Sequence, residues 1–173
     1  NKQIIIGNMY IGGASIELHV NNAKNDKAAY SYRKIGLDGI KVTTKNISIA
    51  QALADESWDY ISLQQASPFS GQYEVIMKDL PNLIGYVQQL KPAHTKLVYH
   101  STWAYQQDSN HKGFANYNND QLQMYHQIVE VSRTLSKNKA FEFVAPAGTA
   151  IQNMRTSSIG DHLTRDGYHL ELH

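Results

Sequence analysis

Short apolar runs alternate along the chain with longer stretches in which apolar residues recur at helical spacing. The apolar runs predict four buried strands, at residues 3–11, 58–63, 96–100 and 141–144. The helical stretches are residues 14–20, 48–56, the stretch from the loop 66–71 to Leu90, and residues 120–135. Because parallel neighbours need crossovers of a dozen or more residues, this alternation predicts an α/β fold with a central parallel sheet covered on both faces.

One segment departs from this alternation. Residues 29–35 and 40–44 alternate between apolar and polar side chains on either side of a turn that contains Asp38-Gly39. Asp-Gly is a strong signal of a hairpin turn, so we expect a hairpin that is an excursion from the main sheet.

Individual residues set the expected helix boundaries. Ser15 or Ala14 is expected near the start of the first helix, and Ser48 caps the second. Pro81 is expected to kink or restart the long helical stretch, because it lacks a backbone N–H. The tail from Gly148 is expected to be rich in loops. The helix at 120–135 is expected to bury one face, formed by Leu122, Tyr125, Ile128, Val129 and Ser132.

Composition excludes several classes of protein. The 173 residues carry 16 Lys and Arg against 15 Asp and Glu, and 42% of them are apolar, as in one globular domain. No apolar run approaches the roughly 18 residues of a membrane span, and the cations are scattered singly, so neither membrane insertion nor nucleic-acid binding is expected. The absence of cysteine excludes disulfides and thiolate metal sites. The eight histidines lack the paired spacings of zinc motifs, so we expect no metal and no cofactor.

The tail contains the pair with the clearest potential chemistry. Asp166 and His169 stand three residues apart, and a turn centred on Gly167 would bring the carboxylate to one imidazole nitrogen. The other nitrogen would then be free to act as a general base. A pair of surface neighbours would show the same spacing. By contrast, Asp161 and His162 are adjacent and are interpreted as turn residues.

Other candidates follow the predicted strands, because ligands of open parallel sheets bind beyond the carboxyl ends of the strands. Gly12 and Gly13 follow the first strand and open a helix, where bare backbone N–H groups form either a tight turn or a site for an oxyanion. Gln64 and Gln65 end the second strand, where each amide either bonds to neighbouring loops or offers its NH2 to a ligand oxygen.

The loop after the third strand is rich in groups that bind sugars. Trp103, Tyr105 and Asp108 combine aromatic rings with a carboxylate, which suits the apolar faces and the hydroxyl groups of a saccharide. The alternative interpretation is a well-packed loop that caps the sheet.

Several segments together resemble one family over nearly the whole chain. WDYISLQQASPFSG, LVYHSTWAYQQDSNHKGFANYNNDQLQMY, PAGTAIQ and LTRDGYHL resemble, in order and spacing, the DUF4886 branch of the SGNH/GDSL hydrolase superfamily. The resemblance implies a flavodoxin-like three-layer α/β/α sandwich. It also implies a serine esterase mechanism, often directed at acyl groups on carbohydrates, and export to the periplasm or the exterior of a bacterium.

The resemblance also implies roles for individual residues. His169 would be the base and Asp166 the acid that orients it. IGGASIELH resembles the block whose glycine donates a backbone N–H to the oxyanion, which assigns that role to Gly13 or Gly12. LQQAS stands where the superfamily usually has a Gly-x-Asn-Asp block, so Gln65 or Gln64 would replace the asparagine donor.

The nucleophile of this branch lies in a Gly-Asn-Ser stretch, and the similar stretch here, Gly7-Asn8-Met9, has methionine in place of serine. Either Met9 marks an inactive hydrolase that still binds its ligand, or residues 3–11 are the second strand of the family. On the second interpretation the first strand with its serine, the following helix and a final helix are missing from the given chain. The spacing to Gly12 favours this interpretation, and Ser15 fits a helix start better than a nucleophile.

The resemblance therefore implies a serine esterase that removes acyl groups, with acetyl as the first expectation, from a saccharide. Two alternatives stay open: a catalytically inactive carbohydrate-binding module on the same fold, and a structural or interaction domain without a small ligand. The sequence does not indicate an oligomeric state.

Overall fold

The computed structural model describes residues 3–171, which form two compact units. Of these residues, the first unit takes 3–59 and 79–95, and the second takes 60–78 and 96–171. Each unit has its own three-stranded sheet, so the fold is α/β with mixed sheets. Within residues 3–171, none of the helices combines the length and the apolar content needed to cross a membrane.

The sheet of the first unit is antiparallel, with the strand order β1-β2-β3. Its strands are β1 (Ile6–Tyr10), β2 (Tyr30–Ile35) and β3 (Lys41–Ile47). The hairpin of β2 and β3 confirms the prediction made from Asp-Gly. The expectation of a buried parallel strand at residues 3–11 is wrong, because β1 pairs antiparallel with the free edge of β2 and is mostly exposed. An apolar run predicts a strand but not the partner that the strand finds.

Two serine caps begin the helices of the first unit, as predicted. Helix α1 (Ile16–Lys24) starts after Ser15, whose Oγ accepts a hydrogen bond from Leu18 N–H at 3.2 Å. Helix α2 (Ile49–Ala54) starts after Ser48, which forms a reciprocal capping box with Gln51. Each cap satisfies backbone donors that the first helical turn leaves without a partner.

The sheet of the second unit is parallel, with the strand order β4-β5-β6. Its strands are β4 (Tyr60–Leu63), β5 (Lys96–His100) and β6 (Phe143–Ala145). For these three strands the alternation of strands and helices predicted the parallel pairing. The carboxyl ends of β4 and β5 lead into the loops that carry the candidate site.

Helix α3 (Tyr73–Leu90) runs for 18 residues with Pro81 inside it, so the expected restart of the helix does not occur. A proline in a helix interior removes one hydrogen bond and costs about 3 kcal/mol. Burial of the apolar stripe on both sides of Pro81 offsets that cost. The stripe consists of Ile76, Leu80, Leu83, Ile84 and Val87, all of them buried.

Helix α4 (Gln121–Leu135) begins at its predicted position, where Asp120 Oδ1 accepts a hydrogen bond from Gln123 N–H at 2.7 Å. Its predicted face is wrong by about one position, since Leu122 is exposed while Met124 is buried. Polar Gln121 lies on the buried face, and sequence patterning by apolar residues could not include it. The buried residues of the helix are Gln121, Met124, Ile128, Val131 and Leu135.

The tail contains a helix, α5 (Ala147–Arg155), where loops were expected. Glycine usually signals a turn, so the sequence predicts loop from Gly148 onwards. In the structure Gly148 lies in the first turn of α5, and its N–H donates to Ser101 O at 3.1 Å. The glycine is there because the backbone of Thr102 passes so close that no side chain fits.

Candidate active site

A tight turn brings Asp166 and His169 into contact, as their spacing predicted. His169 Nδ1 lies 2.7 Å from Asp166 Oδ2. The other carboxylate oxygen, Oδ1, accepts hydrogen bonds from the backbone N–H of His169 at 2.8 Å and of Tyr168 at 3.3 Å. Gly167 has a φ of 86°, a left-handed conformation that favours glycine and closes the turn.

These hydrogen bonds fix the charge of the carboxylate. Desolvation works to raise the pKa of Asp166, but the bonds from the imidazole and from the two backbone N–H groups outweigh it and lower the pKa to about 2. An ionised carboxylate can only accept, so Nδ1 of His169 carries its proton. The other ring nitrogen, Nε2, has no hydrogen-bond partner among residues 3–171, and 53% of the side chain is exposed.

We predict that the Asp166 carboxylate titrates with a midpoint near pH 2 in a carbon-detected NMR titration of the folded protein. Because this pKa lies below the unfolded value of about 3.9, the contribution of the carboxylate to stability is present above pH 4. It is lost as the pH falls towards 2. In His169→Ala the midpoint should move up, but not fully to 3.9, since the two backbone donors remain. A midpoint near 4 in the unsubstituted protein would contradict the hydrogen-bonding scheme.

The loop after β5 holds the tail turn, by which we mean residues 166–169. Gln106 N–H donates to Gly167 O at 2.8 Å, and the indole N–H of Trp103 donates to Tyr168 O at 2.8 Å. Ser109 packs closely against Gly167, since a Cβ added to Gly167 would lie 2.8 Å from the Oγ of Ser109. The half-buried Trp103, predicted to bind substrate, therefore also contacts the backbone of the turn, and its contact with a saccharide stays a prediction.

The other predicted members of this loop differ in exposure. Tyr105 is 0% exposed, its hydroxyl is hydrogen-bonded to Ser67 Oγ at 2.8 Å, and burial raises its pKa to about 12. Its ring packs against the ring of Tyr168, with centroids 5.9 Å apart, and belongs to the core. The substrate-binding role predicted for Tyr105 stays a prediction. Asp108 is exposed and accepts a hydrogen bond from Gln106 Nε2 at 2.8 Å.

The two glutamines after β4 have different environments. Gln65 is 2% exposed, and its Oε1 accepts a hydrogen bond from the N–H of Ala66 at 2.8 Å. Gln64 is exposed, and its Oε1 lies 2.8 Å from Nδ1 of His100 at the end of β5. Burial lowers the pKa of His100, which favours the neutral imidazole. The roles predicted for Gln65 in oxyanion binding and for Gln64 in substrate binding stay predictions.

Gly12 and Gly13 belong to the first unit, in the turn between β1 and the Ser15 cap. Both are exposed, Gly13 has a φ of 66°, and Ala14 N–H donates to Ile11 O at 3.3 Å. The conformation is that of a tight turn, which was the alternative interpretation of this pair. Oxyanion binding by either glycine stays a prediction.

Comparison with known proteins decides the family. A family model for DUF4886, described as a domain of unknown function, matches residues 1–173. The chain belongs to the DUF4886 family. The DUF4886 chain is also similar to the crystal structure of a DUF4886 family protein from Bacteroides uniformis ATCC 8492, with 50% sequence identity and a TM-score of 0.95. That match covers 98% of this chain and 66% of the other. The search of curated proteins found no match.

The DUF4886 chain also contains an ion pair that sequence analysis missed. Arg155, at the end of α5, is buried, and its Nε lies 2.7 Å from Asp161 Oδ1. Asp161 Oδ2 accepts hydrogen bonds from the N–H of Gln107 at 2.8 Å and from Nε2 of Gln121 at 2.7 Å. Arg155 also donates to Ala104 O at 2.9 Å. The pair fastens the tail to the loop that holds the tail turn.

No pattern in the sequence indicates this ion pair. The sequence predicts that Asp161 is a turn residue beside His162 and that Arg155 lies in a loop-rich tail. A buried arginine needs a partner for its charge, but the sequence does not show which arginine is buried or which carboxylate lies beside it.

Residues 3–171 bring no three His, Asp or Glu side chains together in a way that could hold a metal ion.

Proposed function

We propose that Asp166 and His169 are the acid and the base of a serine esterase of the SGNH/GDSL superfamily. The observation that supports this most is the pair itself. An ionised Asp166 holds the proton on Nδ1 of His169 at 2.7 Å, and Nε2 is directed away from that contact. A general base needs this arrangement, because the orienting carboxylate selects the tautomer that leaves Nε2 able to accept a proton.

The proposed reaction proceeds through an acyl-enzyme. Nε2 of His169 removes the proton from a serine Oγ while that oxygen attacks the ester carbonyl, and the imidazolium then gives the proton to the departing alcohol. The same nitrogen then takes a proton from water as the water attacks the acyl-enzyme, and returns that proton to the serine Oγ as the acid is released. Asp166 stays ionised throughout and stabilises the imidazolium. The serine is proposed to come from a part of the parent protein outside residues 1–173.

The proposal extends to the fold of the superfamily. The parallel strands β4, β5 and β6, joined by helical crossovers, are proposed to be three strands of the central sheet of a flavodoxin-like sandwich. A crystal structure of the full-length protein tests this by showing whether further parallel strands continue that sheet.

The proposed substrate is an acylated saccharide, with acetyl as the first acyl group to test. Exposed polar groups that follow β4 and β5, such as Gln64 directly after β4 and Asp108 in the loop after β5, support a ligand rich in hydroxyl groups. Such a substrate suits an exported bacterial enzyme, and fractionation of the source cells tests that location.

The experiment uses the full-length protein, acetylated oligosaccharides and a fluorescent fluorophosphonate that reacts with activated serines. We expect release of acetate and labelling of one serine. If that serine is first acylated by a group that water removes only slowly, the labelling should be lost. Absence of both would overturn the esterase proposal. If the protein binds the oligosaccharides without releasing acetate or reacting with the probe, it is the inactive binding module instead.

A further inference from the structure

Two peptide groups of the tail turn are held from both sides. The peptide between Tyr168 and His169 has its carbonyl bonded to the Trp103 indole N–H and its N–H bonded to Asp166 Oδ1. The peptide between Gly167 and Tyr168 has its carbonyl bonded to Gln106 N–H and its N–H bonded to the same carboxylate oxygen. Each carbonyl is thus anchored by the loop after β5, and each N–H is directed at the carboxylate.

Peptide planarity connects the two sides. The carbonyl and the N–H of one peptide point in opposite directions in one plane, so fixing the carbonyl also fixes the N–H. The bond of 2.8 Å from Trp103 to Tyr168 O therefore sets the direction in which His169 N–H meets Asp166 Oδ1. That contact in turn orients the carboxylate whose other oxygen holds the imidazole.

We infer that the indole N–H of Trp103 positions the Asp166–His169 pair by fixing the peptide plane between Tyr168 and His169. The inference rests on the proposed function and deepens it, because it adds a positioning residue 65 positions away in sequence from the carbonyl that it holds. Trp103 itself need not touch the substrate.

The two anchors differ in what a substitution can remove. Gln106 anchors the turn with its backbone N–H, which persists in every side-chain variant. The Gln106 side chain is held separately, since its Oε1 accepts a hydrogen bond from Thr164 Oγ1 at 2.6 Å. The Trp103 anchor is a side-chain N–H, and phenylalanine lacks it while keeping an aromatic ring. Trp103→Phe therefore loosens one peptide plane and leaves the other in place.

The chain supplies a matched control. Trp58, in the first unit, is also half-buried, and its indole N–H also donates to a backbone carbonyl, that of Ala52, at 3.1 Å. Trp58→Phe removes the same kind of bond with the same change of volume. Both variants lose one indole hydrogen bond. Any larger effect of Trp103→Phe on kcat or on the Asp166 midpoint is therefore caused by the loss of the contact with the turn.

In the full-length protein, Trp103→Phe should lower kcat on an aryl acetate by about tenfold to 100-fold with KM little changed, the range for slight misplacement of a catalytic group. Trp58→Phe should leave kcat unchanged. The NMR midpoint of Asp166 should move up from about 2 in Trp103→Phe alone. In a His169→Ala background, Trp103→Phe should have no further effect on kcat, because there is no imidazole left to position.

The outcomes separate this inference from the proposed function. If His169→Ala abolishes activity but Trp103→Phe matches Trp58→Phe in kcat and in the Asp166 midpoint, the positioning role is wrong and the esterase proposal stands. If the protein proves to have no esterase activity, the Asp166 midpoint still decides whether Trp103 orders the pair. A rise in KM alone would assign Trp103 to substrate binding and overturn the inference.

Discussion

His169→Ala in the full-length protein is expected to lower esterase kcat by about 10⁴-fold to 10⁶-fold, with KM nearly unchanged. Removal of the base from a triad has effects of this order, because the serine is then barely nucleophilic and the leaving group receives no proton. Since His169 lies at an exposed turn and packs on Tyr168 rather than in the core, the substitution should not unfold the protein. The measurement is kcat and KM on an aryl acetate, together with a denaturation curve.

A second histidine provides the control. His126 lies on the exposed side of α4 in the same unit, and His126→Ala should keep full activity. Imidazole added to His169→Ala should restore part of the rate if the missing group is a base. Activity close to that of the unsubstituted enzyme in His169→Ala would show that another group deprotonates the nucleophile.

Gly148→Ala is expected to lower the free energy of unfolding by about 3 kcal/mol or more, the upper part of the range for overpacked sites. An added Cβ would lie 2.1 Å from the carbonyl oxygen of Thr102. That oxygen belongs to the backbone, so no side chain can rotate out of the way. Either α5 or the loop after β5 must move, and that loop includes Trp103. We therefore expect a loss of stability in urea denaturation and a loss of activity in the same variant.

Gly85→Ala is the matched control for this prediction. Gly85 lies inside α3, and a Cβ added there would have no atom within 4 Å apart from its chain neighbours and the adjacent backbone of its own helix. Alanine should be neutral there or stabilising by up to about 1 kcal/mol, because it favours the helix more than glycine does. If Gly148→Ala proves as stable as Gly85→Ala, the close approach of α5 to the loop is not present in solution.

Features set by neighbouring residues could be predicted from the sequence. The Asp-Gly turn defined the hairpin, Ser48 and Asp120 marked helix starts, and the bounds of β5 were predicted without error. The contact between Asp166 and His169 belongs to the same group, since only one turn with a left-handed glycine separates them. In each case the residues that decide the conformation lie within a few positions of one another.

Features set by distant partners could not be predicted. The antiparallel pairing of β1 depends on the free edge of β2, and α5 depends on a close approach to Thr102. Arg155 and Asp161 form a pair, and the two other hydrogen-bond donors to Asp161 lie 40 and 54 positions away from it. The bond from Trp103 to Tyr168 spans 65 positions. Nothing in the local sequence distinguishes that tryptophan from one that stacks on a sugar.

The antiparallel sheet has a consequence for how copies of the protein behave towards one another. Within residues 3–171, β3 pairs with β2 on one side, and its first six residues are exposed. An open strand edge is a template for aggregation, and lysines and irregular backbone are the usual protection. Here Lys41 and Lys45 lie along the strand, and the register shifts beside Asn46, which has a φ of 58°. Like charges and this bulge oppose edge-to-edge pairing of two copies along β3.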